Sequence, residues 1–86
     1  MENIQSRLKD ILVEELYVEV EKDKILDTHS LRQDLGVDSL GFVELKDQIE
    51  KHFQVSVDDD QFTPENFATI DSLTSLIVSL SHVKAQ

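Results

Sequence analysis

The chain has 86 residues, no cysteine, and 18 acids against 8 lysines and arginines, a formal net charge of −10. One domain over residues 1–86 is expected, resting on apolar packing alone, with neither a disulfide framework nor a thiolate metal site. The charge sets phosphate backbones and anionic membranes aside and favours basic partners. Two glycines and one proline argue for helices over a turn-rich β fold.

Helical spacing opens the chain. Ile4, Leu8, Ile11, Leu12 and Leu16 form one stripe, with Arg7, Lys9, Asp10 and Glu14 opposite, and predict a helix over residues 2–17. Residues 18–37 hold no sustained period. The alternation of Val18 and Val20 is too short to stand as a strand without a partner, so the segment reads as a long ordered loop. Ile25, Leu31, Leu35 and Val37 are its expected core anchors, and Thr28 or Ser30 could cap a helical turn within it.

Asp38 is the natural N-cap of a second helix from Ser39 to about His52. Phe42, Leu45, Ile49 and Phe53 mark its buried face. A second flank begins apolar beside Ser39, at Leu40 and Val43, and turns acidic at Asp47 and Glu50. Glu44 adds a further acid to the same helix, against only Lys46 and Lys51. After it, Val55 and Val57 can pack inward, and Thr63 before Pro64 suggests a short helix near residues 64–68. A last helix starts near Thr69 or Asp71, with Leu73, Leu76, Ile77, Leu80 and Val83 as its stripe and a frayed tail at residues 84–86. The expected fold is all-α: a small four-helix bundle of three main helices and one short one, with a long loop between the first two.

Ser39 invites a test as a hydrolytic nucleophile. The nucleophile elbow G-x-S-x-G needs a strand-to-helix turn and a first glycine, and Val37 stands there although Gly41 fits the last position. His29, His52 and His82 have no spacing that sets one beside Ser39. A calcium loop starting at Asp58 fails because Thr63 and Thr69 occupy the glycine and glutamate positions. The histidines lack the i, i+4 pairing of a metal site, so no metal is expected. Attachment fits better. A helix N-terminus presents free N–H groups and partial positive charge, which favour a phosphate ester on a serine there. The bland alternative is that Ser39 merely starts the helix with Asp38.

The run DLGVDSLGFVEL, residues 34–45, resembles the signature of acyl carrier proteins and related phosphopantetheine-binding carrier domains. The likeness extends over nearly the whole chain, through SLRQDLG, SLGFVELKDQIEKHF and TIDSLTSLI. It implies a non-enzymatic carrier. Ser39 would take 4'-phosphopantetheine from coenzyme A through a phosphodiester, under a phosphopantetheinyl transferase, and Asp38 would help present it. Acyl groups would ride as thioesters on the arm's terminal thiol, which removes any need for a cysteine. Leu40 and Val43 would form the apolar part of a docking face, and Glu44, Asp47 and Glu50 would meet basic patches on acyl-loading and acyl-processing enzymes. Such docking is transient and salt-sensitive.

The chain departs from the fatty-acid type at several places. Gly41 stands where an acid is common and Asp47 where an apolar residue is frequent, Lys46 and Lys51 dilute the acidic face, and QFTPENFATIDS is unusually aromatic. These departures suit a free-standing carrier of a polyketide-type or other specialised pathway. Two alternatives are an aminoacyl or peptidyl carrier with the same chemistry, and an unmodified acidic interaction domain. No apolar run spans a bilayer, and MENIQSRLKD lacks a signal-peptide core, so a cytoplasmic monomer is expected.

Overall fold

A computed structural model describes residues 3–84 of the chain, with side chains through residue 81. Among these residues it contains three α-helices, α1 (Ile4–Glu14), α2 (Ser39–Phe53) and α3 (Ile70–Lys84), and one 3-10 turn at Lys22–Lys24. The all-α bundle expected from periodicity is thus observed.

Each helix begins where the sequence supplies a cap. Asn3 accepts the Ser6 N–H at 2.7 Å to start α1, and Asp38 accepts the Gly41 N–H at 2.8 Å to start α2. At α3 the bonds are reciprocal: Thr69 Oγ1 accepts the Ser72 N–H while Ser72 Oγ accepts the Thr69 N–H. This is a capping box with serine in place of the usual glutamate.

α1 packs against both α2 and α3. Leu8 and Leu12 from α1, Leu45 and Ile49 from α2, and Ile70 and Leu73 from α3 lose all their exposed surface in one core. The expected loop anchors Ile25, Leu31, Leu35 and Val37 join them, as do Val55 and Val57. No polar side chain is among the buried residues described, so the core is held by apolar burial, as the missing cysteines require.

The long loop is ordered by backbone bonds. Leu31 N–H donates to the Ala68 carbonyl at 2.9 Å, and Asp71 N–H to the Asp27 carbonyl at 3.0 Å. These bonds, with a single antiparallel bridge between Ser30 and Thr69, tie the loop to the start of α3. Asp34 and Leu35 donate their N–H groups to the Ser30 carbonyl, and Ser30 Oγ accepts the Gln33 N–H, so Ser30 caps the expected helical turn. Ion pairs Lys9–Asp27 at 3.0 Å and Lys22–Asp10 at 2.8 Å hold the loop to α1.

Four boundaries differ from expectation, the first being the start of α1 at Ile4, behind the extended Asn3 cap, rather than at residue 2. α1 ends at Glu14 rather than residue 17, because Tyr17 turns into the left-handed region at φ 57° and the Val18 N–H folds back to the Leu12 carbonyl. The short helix expected near residues 64–68 is a single turn, in which Phe67 N–H reaches the Thr63 carbonyl. The one short helical element lies instead at Lys22–Lys24. α3 continues through Lys84, the first residue of the expected tail. The side chains of His82 and Val83, and residues 85–86, lie outside what is described.

Candidate functional site at the start of the second helix

The site is built by the end of the long loop and the first turn of α2. Gly36 takes φ 75°, a conformation that suits glycine, and turns the chain so that Val37 drops into the core while Asp38 and Ser39 stay outside. Asp38 is extended at φ −97° and ψ −175°, the usual N-cap geometry. Its carboxylate holds the Gly41 N–H and its carbonyl takes the Phe42 N–H at 2.9 Å. The N–H groups of Ser39 and Leu40 are then the ones left at the mouth of α2, where the helix carries its partial positive charge.

Ser39 is the first residue of α2 and is exposed. Among the described residues, no hydrogen bond engages its hydroxyl. None of the described histidine side chains serves it: His29 Nδ1 accepts the Leu26 N–H at 3.0 Å, and His52 lies at the far end of α2, where its carbonyl accepts from Arg7.

Gly41 has ordinary helical backbone, so what its lack of a side chain supplies is room. A Cβ there would lie 2.9 Å from Val37 Cγ1 and 3.3 Å from Asp38 Oδ1. The first turn of α2 therefore sits directly on the Val37 side chain, which is why the loop and helix meet so tightly beside Ser39.

A groove of about 470 Å³ opens next to Ser39. Phe42, Val43, Phe62, Pro64 and Phe67 supply its apolar lining, and Arg32 lies on its rim. Phe62 and Phe67 meet edge to face, with centroids 4.9 Å apart. The run QFTPENFATIDS stood out as unusually aromatic, but its phenylalanines were given no place in a site. Their signal was present in QFTPENF, two phenylalanines bracketing the only proline, but their common side of the groove comes from the turn that the chain makes there.

The flank expected to meet partners is only partly free. Leu40 is 81% exposed and Val43 57%, large values for apolar side chains. Glu44 accepts from Gln48 Nε2 at 2.7 Å and stays exposed. Asp47 pairs loosely with Lys51 at 3.7 Å. Glu50 has a different task. Its Oε2 accepts the Val57 N–H at 2.8 Å and its Oε1 lies 3.8 Å from Lys46, so it fastens the chain after α2 back onto the helix. That use was not legible in a helical face drawn from spacing, because Val57 approaches from seven residues away.

Taken together, the bundle and this capped, exposed serine beside an apolar groove define a class, that of a helical carrier domain that presents a hydroxyl at a helix start. The comparisons with known proteins agree. A family model described as "Phosphopantetheine attachment site" matches residues 6–77. The chain is 38% identical over 61 residues, 71% of its length and 74% of the relative's, to the acyl carrier protein of Buchnera aphidicola subsp. Acyrthosiphon pisum (strain Tuc7). The same figures hold for the acyl carrier protein of strain 5A. The solution NMR structure of holo acyl carrier protein from Nitrosomonas europaea matches with a TM-score of 0.77 at 26% identity, over 99% of this chain and 100% of that one.

The chain belongs to the acyl carrier protein family. It is a carrier and not a catalyst, and its cofactor is covalent 4'-phosphopantetheine, whose thiol carries the acyl group. The residues present fit such a group. The free N–H groups at the start of α2 suit a phosphodiester, and the aromatic groove suits an apolar arm or cargo. A phosphopantetheinyl transferase and acyl-processing enzymes are the partners that membership in the family implies. No helix among the described residues is long and apolar enough to cross a membrane.

Proposed function

We propose that Ser39 is the attachment point of the arm and that the chain serves a specialised, polyketide-type pathway as a dedicated acyl carrier. The observation that carries the attachment is the placement of Ser39: an exposed hydroxyl at the first position of a helix whose start is fixed by the Asp38 carboxylate. Asp38 acts as a positioning residue. By capping α2 it sets the direction in which Ser39 points, and its charge beside the hydroxyl suits a basic transferase.

Leu40 and Val43 form the apolar part of the docking face, with Glu44 and Asp47 steering basic partners. Glu50 contributes less than its place on the helix suggests, because its carboxylate already serves Val57 and Lys46. The arm and a short acyl chain lie along the groove between Val43 and Phe67, where apolar contact shields the thioester from water. The domain works as a single cytoplasmic monomer over residues 1–86.

Two features support the specialised role. Gly41 leaves no room for the acidic side chain common in the fatty-acid type, since even a methyl group would press on Val37. The groove is walled by aromatic rings rather than by flexible aliphatic chains, which suits one shape of cargo. The test is reconstitution of the loaded carrier with an elongating fatty-acid ketosynthase and with a polyketide-type ketosynthase. Preferred turnover by the second supports the specialised role, and equal or better service of the first removes it.

A further inference from the structure

One base in this acidic chain departs from the rest. Of the eight lysines and arginines, Lys84 lies beyond the described side chains. Lys9, Lys22, Lys24, Lys46 and Lys51 each face a carboxylate. Arg7 donates to the His52 carbonyl and covers the Phe53 ring. Arg32 alone, among the described residues, has no hydrogen bond, ion pair or ring contact. In a chain with 18 acids such isolation is a matter of place.

Arg32 belongs to the turn that Ser30 caps, and its neighbour anchors that turn. Leu31 is fully buried, its N–H donates to the Ala68 carbonyl at 2.9 Å, and its carbonyl accepts the Val37 N–H at 2.9 Å. Asp34, the nearest acid in sequence, accepts the Ser30 N–H at 2.8 Å and so serves the turn itself. From this fixed backbone the exposed Arg32 lines the groove of about 470 Å³, together with Ser39, Phe42, Phe62 and Phe67. Among the described residues it is the only charged one that lines the groove, and no carboxylate does. A strongly acidic protein thus carries one groove of positive sign, and the wall of that groove includes Ser39. Solvation accounts for a free arginine on an open surface, but not for the exclusion of every described acid from the groove it lines.

We propose that Arg32 is a positioning residue for the arm: its guanidinium pairs with the phosphodiester on Ser39 and lays the arm along the aromatic groove. The inference rests on Ser39 as the attachment point. A phosphodiester keeps its negative charge at neutral pH, and a guanidinium meets phosphate oxygens as a bidentate fork that an ammonium cannot reproduce. The N–H groups left at the start of α2 favour the same charge. Because the arm is covalently attached, the pairing is intramolecular, so a modest attraction suffices to populate it. An exposed pair of this kind is also weak enough to break when a partner draws the arm out of the groove.

The test compares proton–nitrogen correlation spectra and phosphorus NMR spectra of the full chain, with and without the arm, in the wild type, Arg32→Gln, Arg32→Lys and a remote control, Lys24→Gln. Addition of the arm is expected to shift the backbone amide resonances of Phe62, Phe67 and Ala68 in the wild type. Arg32→Gln should reduce those shifts about threefold and move the phosphorus resonance. Arg32→Lys should fall between, and Lys24→Gln should match the wild type. Added sodium chloride should shrink the wild-type shifts and leave those of Arg32→Gln nearly unchanged. Without the arm, Arg32→Gln should melt with the wild type, because Arg32 has no partner in the fold to lose. An arm on Ser39 with equal shifts in the wild type and Arg32→Gln overturns the pairing and leaves the carrier reading intact. Arg32-dependent shifts that arise only when the thiol holds a carboxylated acyl group overturn it in favour of cargo recognition. Failure of folded wild type to be modified at Ser39 by any of several transferases overturns both.

Discussion

Replacing Gly41 with alanine sets two effects of known sign against each other. Helix propensity favours alanine by about 1 kcal/mol in a helix interior, and by less in the first turn. Packing opposes it. The added Cβ would lie 2.9 Å from Val37 Cγ1, closer than such atoms come, and 3.8 Å from Leu16 Cδ2. Val37 cannot swing away freely, because it is 4% exposed and its β-branched side chain has few rotamers. Overpacking of this kind costs about 1–3 kcal/mol. The same Cβ crowds Asp38 Oδ1 at 3.3 Å, which weakens the cap. Packing wins, and a net loss of about 1 kcal/mol is expected, or a fall in Tm of about 4–8 °C for a domain of this size. Urea unfolding followed by circular dichroism at constant m is the assay. Because the crowded groups also set the direction of Ser39, transfer of phosphopantetheine to Gly41→Ala should be slower than to the parent. An alanine variant as stable as the parent, or more so, would refute the claim that the loop and helix are in contact at this glycine.

Other substitutions separate the roles of neighbouring acids. Asp38→Ala should lose about 1 kcal/mol of stability and be modified slowly, whereas Asp38→Asn should keep most of the stability; equal melting of the two variants would contradict the cap. Glu50→Ala should destabilise by about 1–2 kcal/mol by leaving the partly buried Val57 N–H without its acceptor, while Glu44→Ala stays within about 0.5 kcal/mol of the parent in stability. Partner kinetics should show the reverse order, with Glu44→Ala the more impaired. At constant pH, sodium chloride or a divalent cation should raise Tm, since a net charge of −10 opposes compaction. An unchanged Tm would argue against self-repulsion as a limit on stability.

Much of this molecule is legible in its sequence for specific reasons. The stripe Leu8, Ile11 and Leu12 and the stripe Leu45 and Ile49 are buried as their spacing requires, since each helix has only one apolar face to hide. Asp38 is readable as a cap because an aspartate directly before a helical period has few other uses. The loop anchors Ile25, Leu31, Leu35 and Val37 were readable as the apolar residues of an otherwise polar stretch.

What spacing did not reveal depends on tertiary approach. The apolar pattern of α1 extends through Leu16, but the helix ends at Glu14 and the chain turns at Tyr17 through a left-handed residue, a turn of which a tyrosine gives no signal. Pro64 after Thr63 carries the signal of a helix start, yet the bond from Ser72 Oγ to the Asn66 carbonyl and the start of α3 at Ile70 leave room for only one turn. The pairing of Glu50 with Val57 and the meeting of Phe62 with Phe67 across one groove both require the path of residues 54–69, which no periodicity encodes.

The most direct test of the central claim is intact mass after incubation with coenzyme A and a broad-specificity phosphopantetheinyl transferase, with folded Ser39→Ala as control. A gain of one phosphopantetheine in the parent and none in the variant is the result the account requires. An unmodified parent, under transferases shown to act on other carriers, or a modified Ser39→Ala protein, would contradict it.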